Sequence, residues 1–150
     1  MEVVKYPDER LRQKSAPVEK ITRREIKFLS MMLSVMRLHK GIGIAAPQLG
    51  ILKRLIAVDI GNGAVLLGNP RILQRKGGTI LNEGCLSVPG VRVDIARPDY
   101  VVVAGLNDKN VNVEIKAEGL LARVLQHEID HLDGKLIIDC MSLNREGYKG

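Results

Sequence analysis

The sequence predicts an α+β fold in which a sheet-forming middle is closed by one buried helix. Three observations carry this. Residues 52–117 break into short apolar and β-branched runs punctuated by Gly, Asn and Pro. Residues 118–134 follow with an apolar helical pattern that stops at a glycine, and an earlier helical pattern starts at Thr22. A run of strands followed by a helix, without regular alternation, is the α+β order. The 150 residues are expected to form one domain, 1–150, large enough to bury a core.

The elements follow in order. MEVVK opens as a short apolar strand, and DERLRQ (8–13) as a helical turn started by a proline. Thr22 and Glu25 have capping-box spacing. The helix they begin is expected to bury Ile26, Leu29, Leu33 and Met36 and to end near His39–Lys40, before Gly41. Met31, Met32 and Met36 read as core filler. In GIGIAAPQLG (41–50), glycines alternate with isoleucines, as in a strand or extended loop that another backbone approaches closely. A plain turn, with Gln48 as a surface amide, would also suit this stretch. LKRLIAVDI, AVLLG, RIL, VRVDI, YVVVAGL and VNVEIKA are the expected strands, with a hairpin around Asn107–Asn110. EGCLSVPG (83–90) interrupts them and puts Cys85 on a loop or strand end. The last helix, EGLLARVLQHEIDHLDG, carries Leu121, Val124, Leu125 and Ile129 at helical intervals, Glu118 at its start and Gly134 at its stop.

Composition narrows the class. Apolar residues at 45% and charged residues at 27% are globular proportions, and aromatics at 3% leave the core to Ile, Leu, Val and Met. The formal charge of +6 is spread along the chain without aromatic interleaving, which suits a solvated surface and gives no specific nucleic-acid face. Two cysteines make no disulfide framework. No signal segment and no bilayer-length apolar run is present, so membrane association is not expected. The expected setting is cytoplasmic and reducing, where a cysteine is free to be a thiolate ligand.

The chemistry sits in QHEIDHLDG (126–134). His127 and His131 are four apart, one turn above each other on a helix, and both can reach one metal ion. Glu128 beside them can reach a water on that ion, which is the mechanics of the H-E-x-x-H pattern. A solvated helix face can also carry two histidines and a glutamate. Against that, the chain has only three histidines and spends two of them here, on an apolar helix. A catalytic site of this kind takes a third protein ligand. The pattern that supplies a downstream histidine would need one at 137, where Ile137 stands, and the only later glutamate is Glu146. The third ligand is therefore sought upstream, among His39, Glu83 and Cys85, with Cys85 leading. Cys140 reads as a small buried residue.

GIGIAAPQ, EGCLS and QHEIDH, in this order and at these separations, resemble the three signature motifs of the peptide deformylases, and VVKYPDERLRQKSAPV resembles that family's N-terminus. The resemblance implies antiparallel β-sheets packed around a buried central helix that carries the metal-binding motif. It implies removal of the formyl group from N-formylmethionyl nascent peptides, with Cys85, His127 and His131 as metal ligands and Glu128 as general base and then acid. Gln48 and the backbone N–H of Leu86 would stabilise the oxyanion. Ile42 and Gly43 would pair with the extended substrate backbone. Ile44, Leu120, Val124 and His127 would form the methionine pocket. Glu83 and Arg97 match a structural ion pair, and Arg92 a residue near the distal substrate backbone. On ligand chemistry alone zinc is the expected ion; the resemblance implies Fe2+ as the native metal, with Zn2+, Ni2+ or Co2+ in purified protein.

Two features depart from the family pattern. About nineteen residues follow His131, which leaves ribosome contact through a long C-terminal helix unsupported. Gly68 stands at a usually apolar position and is expected to loosen its strand. The rival readings are a small metallopeptidase and a protein that binds formylated N-termini without hydrolysing them.

Overall fold

The computed structural model describes residues 2–141. After an extended N-terminal segment and a 3₁₀ turn (Glu9–Arg12), helix α1 spans Arg23–Leu38. Strand β1 (Gly43–Ala45), a second 3₁₀ turn (Ala46–Leu49), β2 (Leu55–Val58), β3 (Val65–Lys76), β4 (Thr79–Cys85), β5 (Val88–Arg97), β6 (Tyr100–Leu106) and β7 (Asn112–Glu118) lead to helix α2, Gly119–Leu132. Five strands form one antiparallel sheet in the order β1-β2-β3-β6-β7, and β4 and β5 form a separate two-stranded antiparallel ribbon.

Side chains of successive strand residues point to opposite faces, and β2 is buried on both. Leu55 and Ala57 join Leu29, Met32 and Met36 of α1, while Ile56 and Val58 join Ala122, Leu125, Ile129 and Leu132 of α2. The two helices thus cover opposite faces of the sheet. Leu125 and Leu132 are fully buried, each contributing about 1.5–3 kcal/mol of apolar burial. From its other side α2 reaches the ribbon with polar groups. Arg123 donates to the carbonyls of Ile95 (2.9 Å) and Thr79 (2.8 Å), and Asp130 accepts from Arg97 at 2.8 Å. Gln126 donates to the carbonyl of Pro98 at 2.8 Å, just beyond the ribbon. The motif helix therefore lies between sheet and ribbon.

Several elements differ from expectation. The capping box of Thr22 and Glu25 is present, but the buried face of α1 is Glu25, Leu29, Met32, Val35 and Met36, while Ile26 is 43% exposed. Glu25 can start the buried face because its carboxylate is held by the N–H of Thr22 at 2.8 Å. AVLLG and RIL are one strand, β3, with a register shift between Gly68 and Arg71. Asn69 sits there at φ 50°, and its amide exchanges hydrogen bonds with the backbone of Val18, accepting at 2.8 Å and donating at 2.7 Å. At Gly68 the side-chain space is taken by Ile21: a Cβ there would lie 2.6 Å from Ile21 Cδ1. Residues 79–85 form a strand beyond those expected, and residues 2–5 lie outside both sheets. Glu146 lies outside the described residues.

Candidate active site

Helix α2 carries His127 and His131 beside the ribbon, with Glu128 between the ribbon side and Gly43 of β1. The H-E-x-x-H side chains are buried, with His131 2% and Glu128 4% exposed. Cys85 is the last residue of β4, at the two-residue turn Leu86–Ser87. The ribbon brings its Sγ to 3.2 Å from His131 Nε2, and ligand atoms of Cys85, His127 and His131 all lie within 4.8 Å of one another. Four-coordinate zinc with a thiolate at about 2.3 Å and imidazoles at about 2.0 Å holds its donors roughly 3.5 Å apart. The three donors therefore fit a divalent ion. His39 is exposed at the C-cap of α1, and Ile137 packs against Val93 and Ile95, so neither competes as a ligand.

Glu83, the other ligand candidate, has a different task. Its carboxylate accepts from Arg97 at 2.6 and 3.0 Å, from Arg123, and from His127 Nδ1 at 2.9 Å. Burial would raise its pKa, but the hydrogen bonds from His127 and Arg97 and the Arg97 charge bring it down to about 2. An ionised carboxylate only accepts, so His127 must carry its proton on Nδ1 and keeps Nε2 for a metal. Burial pushes His131 down, toward the neutral imidazole that a metal would require. Burial also pushes Glu128 up to about 7, opposed by His127 and assisted by Glu83. Glu128 Oε1 is buried without a hydrogen-bond partner, an expensive state unless a ligand or water uses it.

The opposite wall comes from β1 and the turn after it. Gln48 is 2% exposed and no surface amide. Its Oε1 accepts the Ala45 N–H at 2.9 Å, which turns Nε2 toward the ribbon, where it donates to Ser87 Oγ at 3.1 Å and approaches Cys85 Sγ at 3.7 Å. A cleft of about 670 Å³ runs between these walls. Ile42, Gly43, Gln48, Cys85, Leu86 and Arg92 line it, with Leu120, Val124, His127 and Glu128 from α2. Arg92 is held at the rim by Asn82, whose carbonyl accepts at 3.3 Å.

Ile44 is the exception among the expected site residues. It is fully buried in the cluster of Leu29 and Met32 and does not line the cleft. Strand alternation explains this: Gly43 and Ala45 face α2, so Ile44 must face α1. Two further residues belong to the cleft's hydrogen-bond network. Ser87 is the last residue of EGCLS, and its hydroxyl accepts from the Gln48 amide. Arg123 is one turn before His127 on α2, and a lone cation in an apolar helix, four residues from a ligand, was the available signal.

A carboxylate buried beside a metal-ligand set has one common use, moving protons for a metal-activated water, and the class is therefore a metal-dependent hydrolase. The sequence model of the family described as polypeptide deformylase matches residues 1–146. Peptide deformylase 1 of Clostridium acetobutylicum is 47% identical over 135 residues, covering 90% of each chain, and the peptide deformylase of Clostridium botulinum is 50% identical over 135 residues, covering 90% of this chain and 92% of that one. The crystal structure of peptide deformylase from Thermotoga maritima superposes with a TM-score of 0.89 at 40% identity, covering 92% of this chain and 95% of that one. The chain belongs to the polypeptide deformylase family. It is a metal-dependent hydrolase that removes N-terminal formyl groups.

Proposed function

We propose that Cys85, His127 and His131 hold the metal, that Glu128 is the proton carrier, and that Gln48 Nε2 and the Leu86 N–H stabilise the oxyanion. The observation that carries this reading is the convergence of Glu128 and Gln48 on the one three-donor cluster among the described residues. A divalent ion held there would supply Lewis acidity to a water and to the formyl carbonyl. Glu128 takes the proton of the attacking water on its free carboxylate oxygen and returns it to the departing amine nitrogen, so that formate and a free N-terminus leave. Gln48 keeps one N–H on Ser87 and offers the other to the developing negative charge, a donor worth about 3 kcal/mol when so placed.

The substrate follows as an N-formylmethionyl nascent peptide. Ile42 and Gly43 pair with its extended backbone, Arg92 stands near its distal end, and Leu120 and Val124 receive the methionine side chain. Ferrous iron is the proposed native ion, with Zn2+, Ni2+ or Co2+ as substitutes; a thiolate and two imidazoles accept all four. Cys85 must remain a free thiol to ligate, which suits the cytoplasm. Residues 1–150 act as one catalytic domain, a reading supported by contributions to the cleft from β1, the ribbon and α2.

The test is Glu128→Gln. The amide is nearly isosteric but cannot take the water proton, so metal content should stay at the wild-type level while turnover of a formyl-Met peptide falls at least about a hundredfold. Near-wild-type turnover would remove Glu128 from the mechanism.

A further inference from the structure

The extended N-terminal segment touches both turns that carry the proposed oxyanion donors. The Val4 N–H donates to the carbonyl of Gln48 at 2.7 Å, and the Tyr6 N–H donates to the carbonyl of Ser87 at 2.8 Å. Gln48 lies in the 3₁₀ turn after β1, and Ser87 in the turn between β4 and β5 that also holds Leu86. Residues 4 and 6 lie two positions apart, where the segment enters the Lys5–Asp8 turn. One short segment thus spans the two turns.

The segment is itself fixed from both sides. Val3 is buried in the cluster of Ala46 and Leu49, and Val4 in that of Leu11 and Leu136. The ribbon is not part of the five-stranded sheet, so no ladder of backbone bonds sets the distance from its turn to β1. The two walls are joined by the Gln48 side chain, which bonds Ser87 and approaches Cys85, by the packing of Leu86 against the cluster of Ala46 and Leu49, and by the pair of backbone bonds from residues 4 and 6.

We infer that the backbone N–H groups of Val4 and Tyr6 are a positioning element for the reaction, setting the separation between the Gln48 amide and the Leu86 N–H. This rests on the reading of those two groups as the oxyanion donors. An oxyanion site works because its donors are in place before charge develops, and a displacement of about 1 Å can cost a hundredfold in rate. The segment touches no substrate; it acts through the two turns.

The experiment replaces single backbone amides by esters in the full-length, metal-loaded enzyme, using the α-hydroxy acids of valine at 4, tyrosine at 6 and, as control, lysine at 5. Each ester removes one N–H and keeps the side chain. Lys5 is exposed, and its N–H takes part in neither bond to the two turns. The esters at 4 and 6 should each lower kcat for a formyl-Met peptide about tenfold, with KM and metal content unchanged and the ester at 5 near wild type. Combined with Gln48→Ala, the ester at 4 should add little further loss, because the group it positions is gone. Wild-type kcat in the esters at 4 and 6, or an equal loss in kcat and metal content, or full additivity with Gln48→Ala, would overturn the inference. Gln48→Ala alone separates the underlying reading: if that variant keeps wild-type kcat, it is the oxyanion assignment that fails.

Discussion

Replacing Gly43 by alanine should cripple the enzyme through a single methyl group. No left-handed backbone conformation is required at Gly43, so alanine suits the chain there; only space is missing. A Cβ built on Gly43 lies 2.6 Å from Glu128 Oε2 and 2.6 Å from Val124 Cγ1. Ordinary contact begins near 3.4 Å, so something must move by about 0.8 Å. Glu128 and Val124 are one helical turn apart on the same face of α2, and rotating the helix away from one contact does not relieve the other. The Glu128 carboxylate or the β1–α2 spacing has to give. Overpacking of this size costs about 1–3 kcal/mol, which for a chain of this length lowers Tm by roughly 2–12 °C. A proton carrier displaced by nearly 1 Å loses about a hundredfold in rate. The assays are kcat and KM on a formyl-Met tripeptide and thermal unfolding of the metal-loaded variant. Adding Val124→Ala should restore part of the stability without restoring kcat, because the carboxylate contact remains. A Gly43→Ala enzyme with wild-type kcat and Tm would refute the reasoning.

Three further outcomes are expected. Cys85→Ala should lose both metal and activity while Cys140→Ala keeps both; equal metal content in the two purified variants, by elemental analysis, would send the third-ligand assignment elsewhere. Arg123→Met should destabilise the protein by about 3 kcal/mol, since it strips one cation from the buried Glu83 carboxylate and leaves the Ile95 and Thr79 carbonyls without that donor; denaturant unfolding at unchanged m-value measures it, and a loss below about 0.5 kcal/mol would deny the network its structural role. Formyl-Met peptide should be cleaved far faster than acetyl-Met, whose extra methyl group crowds the reacting carbon, whereas Met over Ala should be a graded preference of about 1–3 kcal/mol. Comparable kcat/KM for formyl-Met and acetyl-Met would contradict the proposed geometry around the carbonyl.

The parts of this protein legible in the chain alone are those that depend on near neighbours. Four-residue spacing put His127 and His131 on one helical face, three-residue spacing made the Thr22–Glu25 cap, and Asn107–Asn110 turned β6 into β7, because helix and turn geometry couple residues only a few positions apart. Ligand chemistry favours Cys85 as the proposed third donor, and its Sγ lies within 4.8 Å of donor atoms of His127 and His131. The rest depends on pairings of distant segments. Ile44 turns toward α1 because its strand is covered on both faces, which a three-residue run cannot announce. β3 continues through Gly-Asn-Pro because Val18, far upstream, satisfies Asn69. The tautomer of His127 is set by Glu83, forty-four positions away, and Glu83 in turn by Arg97 and Arg123. Such bonds are chosen by desolvation: once burial removes water, each donor and acceptor must find a partner in the fold, and which partner is near is decided only when sheet, ribbon and helix have packed.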